Sequence, residues 1–238
     1  MTKSAALIGS GLLILSRFPL LHAYAQPFHH CSGADQLSAK GFAFFRLQLP
    51  RGGLNVINMH LQASDDVRAT PHSQGAGVRF SQLVELAAFV RDRPQLLAEG
   101  VLLVGDFNMN HLRDEPSEEY ERMMVLLRTV VGPNGIVADL FDEAKVHAGT
   151  WRSWACVAAP SNLIDATLGL LAKAGTPKDR DLADPIRLDY MMWLTSSKAM
   201  PRLLQHVPFE VEIDKLTVDM PAPFEQLSDH DGLAMYIK

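Results

Sequence analysis

Only two cysteines, Cys31 and Cys156, occur in 238 residues, so at most one disulfide can form and no zinc-ligand spacing is present. Long hydrophobic runs are missing as well: nothing reaches the ~20 consecutive apolar residues that a membrane-crossing helix needs. Basic residues are outnumbered by acidic ones, and the net charge of −5 argues against a nucleic-acid binder. It leaves open a nuclease with a local basic groove, since the field at one site can differ from the total. There are no internal repeats, low-complexity tracts or linkers, which removes solenoids and arrays. What remains is 47% hydrophobic and long enough to bury a core, as one domain or as two small ones.

The N-terminus supports two readings. Lys3, the apolar run Ala5 to Leu15 and Ala23-Tyr24-Ala25 imitate a secretory signal with its cleavage site. Arg17 and Pro19, lying between the run and that site, instead suit the end of a strand. Secretion and peripheral membrane attachment both remain compatible with the chain.

Along the chain, Gly11 to Leu15 reads as a buried strand closed by Ser16-Arg17-Phe18-Pro19, and Gln26 to Lys40 as a loop. Gly41 to Leu49 and Leu54 to Leu61, joined by Pro50-Arg51-Gly52-Gly53, form an expected hairpin. A loop over Asp65 to Gly77 precedes an amphipathic helix from Arg79 to Arg91, whose stripe is Phe80, Leu83, Val84, Leu86, Ala87 and Val90. Ser117 to Val131 is a second helix, its acidic start Glu118-Glu119 suited to the positive end of the dipole. Leu163 to Ala174 allows a short helix. Leu188 to Leu194, Phe209 to Ile213 and Leu233 to Ile237 read as strands. Strand, helix, strand in succession implies layered α/β packing.

The central stretch is Val101-Leu102-Leu103-Val104-Gly105-Asp106-Phe107-Asn108. Four apolar residues before a Gly are too few for a helix and make a buried strand. Asp106 and Asn108, two apart on extended backbone, project to one side. A carboxylate and an amide there suit a hard cation such as Mg²⁺ and phosphoryl chemistry. An ordinary Asp/Asn turn is the plainer alternative. His60, Asp189 and Asp229-His230 are the other polar residues at or beside strand ends. Taken singly, His60 could be a satisfied core histidine, Asp189 a partner of Arg187, and Asp229-His230 a cap or turn. Taken together, Asp189 and His230 would make a dyad in which the carboxylate fixes the imidazole tautomer and His230 takes a proton from water.

His60-Leu61-Gln62-Ala63, Gly105-Asp106-Phe107-Asn108, Arg187-Leu188-Asp189-Tyr190 and Ser228-Asp229-His230, in this order, resemble the endonuclease/exonuclease/phosphatase superfamily. The resemblance covers nearly the whole chain. Gly11 to Pro19 and Asp35-Gln36-Leu37-Ser38-Ala39-Lys40-Gly41 look most like the neutral, bacterial-type sphingomyelinases. The resemblance implies a DNase-like two-layer β-sandwich flanked by helices, over residues 1–238 as a single catalytic domain, with the site at one end. It implies Mg²⁺ or another divalent cation held by Asp106, Asn108 and Asp229, and His60 hydrogen-bonded to a phosphoryl oxygen. His230 would be the general base oriented by Asp189, and Asp35 with Lys40 a switch pair. The implied substrate is the membrane lipid sphingomyelin, cleaved to ceramide and phosphocholine, with no nucleic-acid partner. Met220, Pro221, Pro223 and Phe224, just before the Asp229-His230 motif, would then be candidates for shallow insertion into a bilayer.

Two departures from the pattern stand out. Family members carry an Asn and a metal-binding Glu upstream of the Gly-Leu-Leu strand, and Met1 to Ser10 contains neither. A domain lacking the family's first strands is therefore expected, and a non-catalytic remnant is one alternative. The cysteine that bacterial relatives pair with the counterpart of Cys31 is absent from Ser64 to Val78, so no such disulfide is expected. A nuclease or an inositol-phosphate phosphatase of the same superfamily is the other alternative, against which Asp35 and Lys40 count.

Overall fold

The structure is a computed structural model and describes residues 6–50, 52–63, 74–109, 117–140, 188–196, 209–214 and 232–237. Strand β1 (Leu20–Pro27) leads through a short 3₁₀ turn to β2 (Gly41–Leu49) and β3 (Gly52–His60). Helices α1 (Gln74–Arg91) and α2 (Pro94–Glu99) then cross to β4 (Val101–Asp106). Helix α3 (Glu118–Val131), β5 (Ile136–Asp139) and β6 (Asp189–Thr195) follow, and β7 (Phe209–Asp214) and β8 (Gly232–Ile237) close the order. Six strands form one open mixed sheet in the order β1-β2-β3-β4-β6-β5, and β7 pairs with β8 in a second.

The expected hairpin forms, with Phe42 opposite Met59 and Leu49 opposite Gly52. Strands β3 and β4 are parallel, and the helices make the crossover that such a pair requires. Parallel strands covered on both faces read as unbroken apolar runs, which is why Val101 to Val104 shows no alternation. Val101 and Leu103 join the larger core with Ile57 and Met59, Leu83 and Leu86 of α1 and Met123 and Leu127 of α3. Leu102 faces the other way, with Val56 and Trp193. Helix α3 begins at Ser117, whose hydroxyl accepts from the Tyr120 amide, and stops at Gly132, where φ is +79°.

One expectation changes. Residues 11–15 are not a buried strand: Leu13 and Leu15 are 74% and 85% exposed. Gly11 turns the backbone to φ +75°, the Ser16 hydroxyl bonds within the turn to Phe18, and the stretch between them is assigned to no strand. The strand that pairs with β2 begins past Pro19, at Leu20. Helix α2 and strand β5 were not anticipated, six and four residues being too short to show a period. The short helix expected at Leu163 to Ala174 lies outside the described residues.

Candidate active site

Strand register sets the site. His60 ends β3 opposite Asp106, the last residue of β4, and Asp106 is opposite Asp189, the first residue of antiparallel β6. Side chains alternate along strands, so Asp106 shares a face with Leu102, His60 with Val56 and Asp189 with Trp193. That is the face away from the helices. One imidazole and two carboxylates thus stand in a cross-strand row at one end of the sheet. Gly105 makes the row compatible with the backbone: its φ is +126°, and a Cβ there would lie 2.0 Å from the Met59 carbonyl oxygen.

His60 Nε2 lies 3.4 Å from Asp106 Oδ2, and Nδ1 lies 2.9 Å from the Ser10 carbonyl. A carbonyl only accepts, so Nδ1 carries a proton and Nε2 is the acceptor of the neutral ring. Burial, and next the Lys40 ammonium, lower the His60 pKa below its ordinary value, while Asp106 and the Ser10 carbonyl work the other way. The ring is therefore neutral near pH 7. Ser10 was not foreseen, because its part depends on the fold of the segment before β1. Gly11 leaves room for the ring, since a Cβ there would be 3.2 Å from Nδ1.

Asn108 has a φ of +51°. Asn tolerates this left-handed region, and here its own contacts hold it. The backbone N–H donates to Asp106 Oδ1 at 2.8 Å, and the side-chain amide donates to Asp106 Oδ2 at 3.1 Å and to the Leu61 carbonyl at 3.0 Å. The same carbonyl accepts from Lys40 Nζ at 3.0 Å. Lys40 is buried, with its ammonium 2.8 Å from Asp35 Oδ2, and that carboxylate oxygen also accepts from the Ala63 N–H at 2.7 Å. Asp35, Lys40, His60, Asp106 and Asn108 are thus brought into one connected region, with Asp189 at the end of the row.

Asp229, His230 and Met220 to Phe224 lie outside the described residues. Among the described residues, no three His, Cys, Asp or Glu side chains converge on a point that could hold a metal. The donor chemistry nevertheless fits a hard cation. Asp106 brings a carboxylate and Asn108 an amide oxygen, the kinds of ligand Mg²⁺ takes alongside water and phosphate.

No protein-family model matches the chain. A Sphingomyelinase C of Bacillus cereus is 32% identical over 212 residues, covering 87% of this chain and 54% of that protein. A second, also from Bacillus cereus, is 25% identical over 236 residues, covering 95% of this chain and 61% of the relative. The chain thus spans a little over half the length of these curated relatives. Among solved structures, a mutant of beta toxin from Staphylococcus aureus with bound magnesium ions superposes with a TM-score of 0.62 at 20% identity, over 97% of this chain and 69% of that one. The chain has the DNase-like α/β fold of these structures, and in sequence it is similar to the bacterial sphingomyelinases.

Proposed function

We propose that this chain is a divalent-metal-dependent phosphoric diester hydrolase that cleaves sphingomyelin to ceramide and phosphocholine. The observation that carries the reading is the row His60, Asp106, Asp189 beside Asn108, in a chain 32% identical to a Sphingomyelinase C. Asp106 and Asn108, together with Asp229, would hold Mg²⁺. When bound, that ion supplies Lewis-acid stabilisation of charge on the phosphoryl oxygens. His60 would hydrogen-bond a phosphoryl oxygen through Nε2. Asp189 orients His230, which takes a proton from the water that attacks phosphorus. The bond from phosphorus to the ceramide oxygen breaks, and that oxygen takes up a proton as it leaves. Asp35 holds the Lys40 ammonium where its charge reaches the phosphate.

The test compares three substrates at several Mg²⁺ concentrations: sphingomyelin vesicles for phosphocholine release, supercoiled DNA for nicking, and an inositol phosphate for phosphate release. Phosphocholine release that disappears with chelator and in Asp106→Ala is expected. DNA nicking or inositol-phosphate hydrolysis without phosphocholine release would replace the reading with another member of the superfamily. No hydrolysis of any of the three would leave a binding module.

A further inference from the structure

Two buried polar residues on α1 remain without a part in this chemistry. Arg79 is 1% exposed and Gln82 is completely buried. Three apart on a helix, they share a face and sit side by side. Arg79 meets Glu119 of α3 through Nε and Nη2. Those two bonds suffice to clasp the helices and to pair the buried charge. Its Nη1, however, donates 3.0 Å to the Gln62 carbonyl. Gln82 takes the other side of the same residue, its Oε1 accepting from the Gln62 N–H at 2.8 Å, while its Nε2 donates to the His30 carbonyl at 2.7 Å.

Residues 61–63 belong to no helix or strand, yet every backbone polar group in them is taken. The Leu61 N–H donates to the Asp106 carbonyl at 2.9 Å, and the Leu61 carbonyl accepts from Lys40 and Asn108. Gln62 is held at both groups by α1, the Ala63 N–H by Asp35 and the Ala63 carbonyl by the Gln62 side chain. The orientation of the Leu61 carbonyl follows from the peptide plane it shares with the Gln62 N–H, because the unit is rigid.

We infer that Arg79 and Gln82 are positioning residues of the His60/Asp106/Asn108 site: by gripping Gln62 from α1 they aim the Leu61 carbonyl, on which Asn108 and Lys40 are both anchored. The inference rests on the reading of that site as a phosphodiester-cleaving centre. Outer partners of this kind typically change activity about 10- to 100-fold when altered, and a shift of ~1 Å in a reacting group has a similar effect.

The experiment uses the full chain and three variants. Arg79→Lys keeps the charge but cannot reach Glu119 and Gln62 in the same fork geometry. Gln82→Met removes both hydrogen bonds and no charge, and so tests the grip independently of Arg79's part in joining the helices. Glu99→Gln alters the Arg46 and Asn55 contacts at the opposite end of the sheet and serves as a control for general destabilisation. The Asn108 side-chain amide and the Gln62 and Ala63 backbone amides are followed by NMR and hydrogen exchange, and phosphocholine release is resolved into kcat and KM.

Expected are moved Asn108 and Gln62 resonances, faster exchange at Gln62, and a kcat lower by about 10- to 100-fold with KM within about twofold in both α1 variants. Glu99→Gln should leave these resonances and kcat as they are. Folded α1 variants with unmoved Asn108 resonances or an unchanged kcat would overturn the inference and leave Arg79 as a clasp between helices. If the unaltered chain releases no phosphocholine, the proposed function fails, and the positioning inference stands or falls on the Asn108 resonances alone.

Discussion

Asn108 combines a backbone requirement and a chemical one in a single residue, and the two can be separated. Its left-handed φ of +51° favours Gly or Asn, whereas its amide links Asp106 to the Leu61 carbonyl. Asn108→Gly removes the amide and relaxes the backbone; Asn108→Ala removes the amide and keeps the strain. The Gly variant should melt at or above the Ala variant in a thermal scan, and both should lose phosphocholine release by about 10²-fold. Gly105→Ala should be worse for folding than either, by about 3 kcal/mol in a denaturant titration, because its Cβ would sit against the Met59 carbonyl. On the proposed function, Asp189→Asn retains shape while removing the charge proposed to orient His230, and a loss of about 10²-fold or more in kcat with unchanged unfolding midpoint is expected. These residues were legible from their type and from their places at strand ends. Ser10, Arg79 and Gln82 were not, since nothing in a serine carbonyl or in a polar pair within an apolar helix marks the partner it will meet.

Helix α1 shows how an element can be read correctly and still be misunderstood. The stripe Leu83, Leu86, Ala87 and Val90 is buried as expected, but Val84 is 44% exposed, and the buried face also carries Arg79 and Gln82. Glu85, three further along, continues this polar line: Oε2 meets His29 Nδ1 at 2.8 Å and Oε1 meets His30 Nδ1 at 3.2 Å. Arg79, Gln82 and Glu85 together fasten the chain before Asp35 and the chain after His60 to one helix. A pattern at i, i+3 and i+6 was available in the sequence, masked by its polarity. Burial opposes ionisation of Glu85, but the bonds from the His29 backbone and the two rings outweigh it, and its pKa falls below the ordinary 4.5. A carboxylate depressed in the folded state stabilises above its unfolded pKa, and that contribution is lost as pH falls through the folded value. The unaltered chain should therefore lose stability relative to Glu85→Gln as pH is lowered below about 4.5. Unfolding midpoints for both proteins at pH 7 and pH 3.5 measure this. A gap that does not narrow on acidification would show that Glu85 is held by shape rather than charge.

At the scale of the molecule, the α/β class, the hairpin and the central strand were readable because each rests on local pattern. The six-strand order was not, since the register of β4 against both β3 and β6 depends on contacts far apart in sequence. The misplaced strand at residues 11–15 has the same origin: an apolar run reports burial only when something packs on it, and Leu13 and Leu15 face solvent. No helix among the described residues is long and apolar enough to cross a membrane; on the proposed function, the lipid would be met at the bilayer surface. Phe224→Ser should weaken binding to sphingomyelin vesicles in a sedimentation assay by about tenfold, the scale of one exposed aromatic entering the interface. Unaltered binding would remove that stretch from the account.

The parallel pairing of β3 with β4 also bears on how the protein comes into being. On the ribosome, β2 and β3 can zip together as soon as His60 emerges, yet the other edge of β3 must wait for α1, α2 and β4 to be made. At ~5–20 residues per second, that interval lasts a few seconds, and β6, with Asp189, arrives later still. The nascent chain therefore carries an incomplete His60, Asp106, Asp189 row through most of its synthesis, and the three side chains stand together only as the sheet is finished.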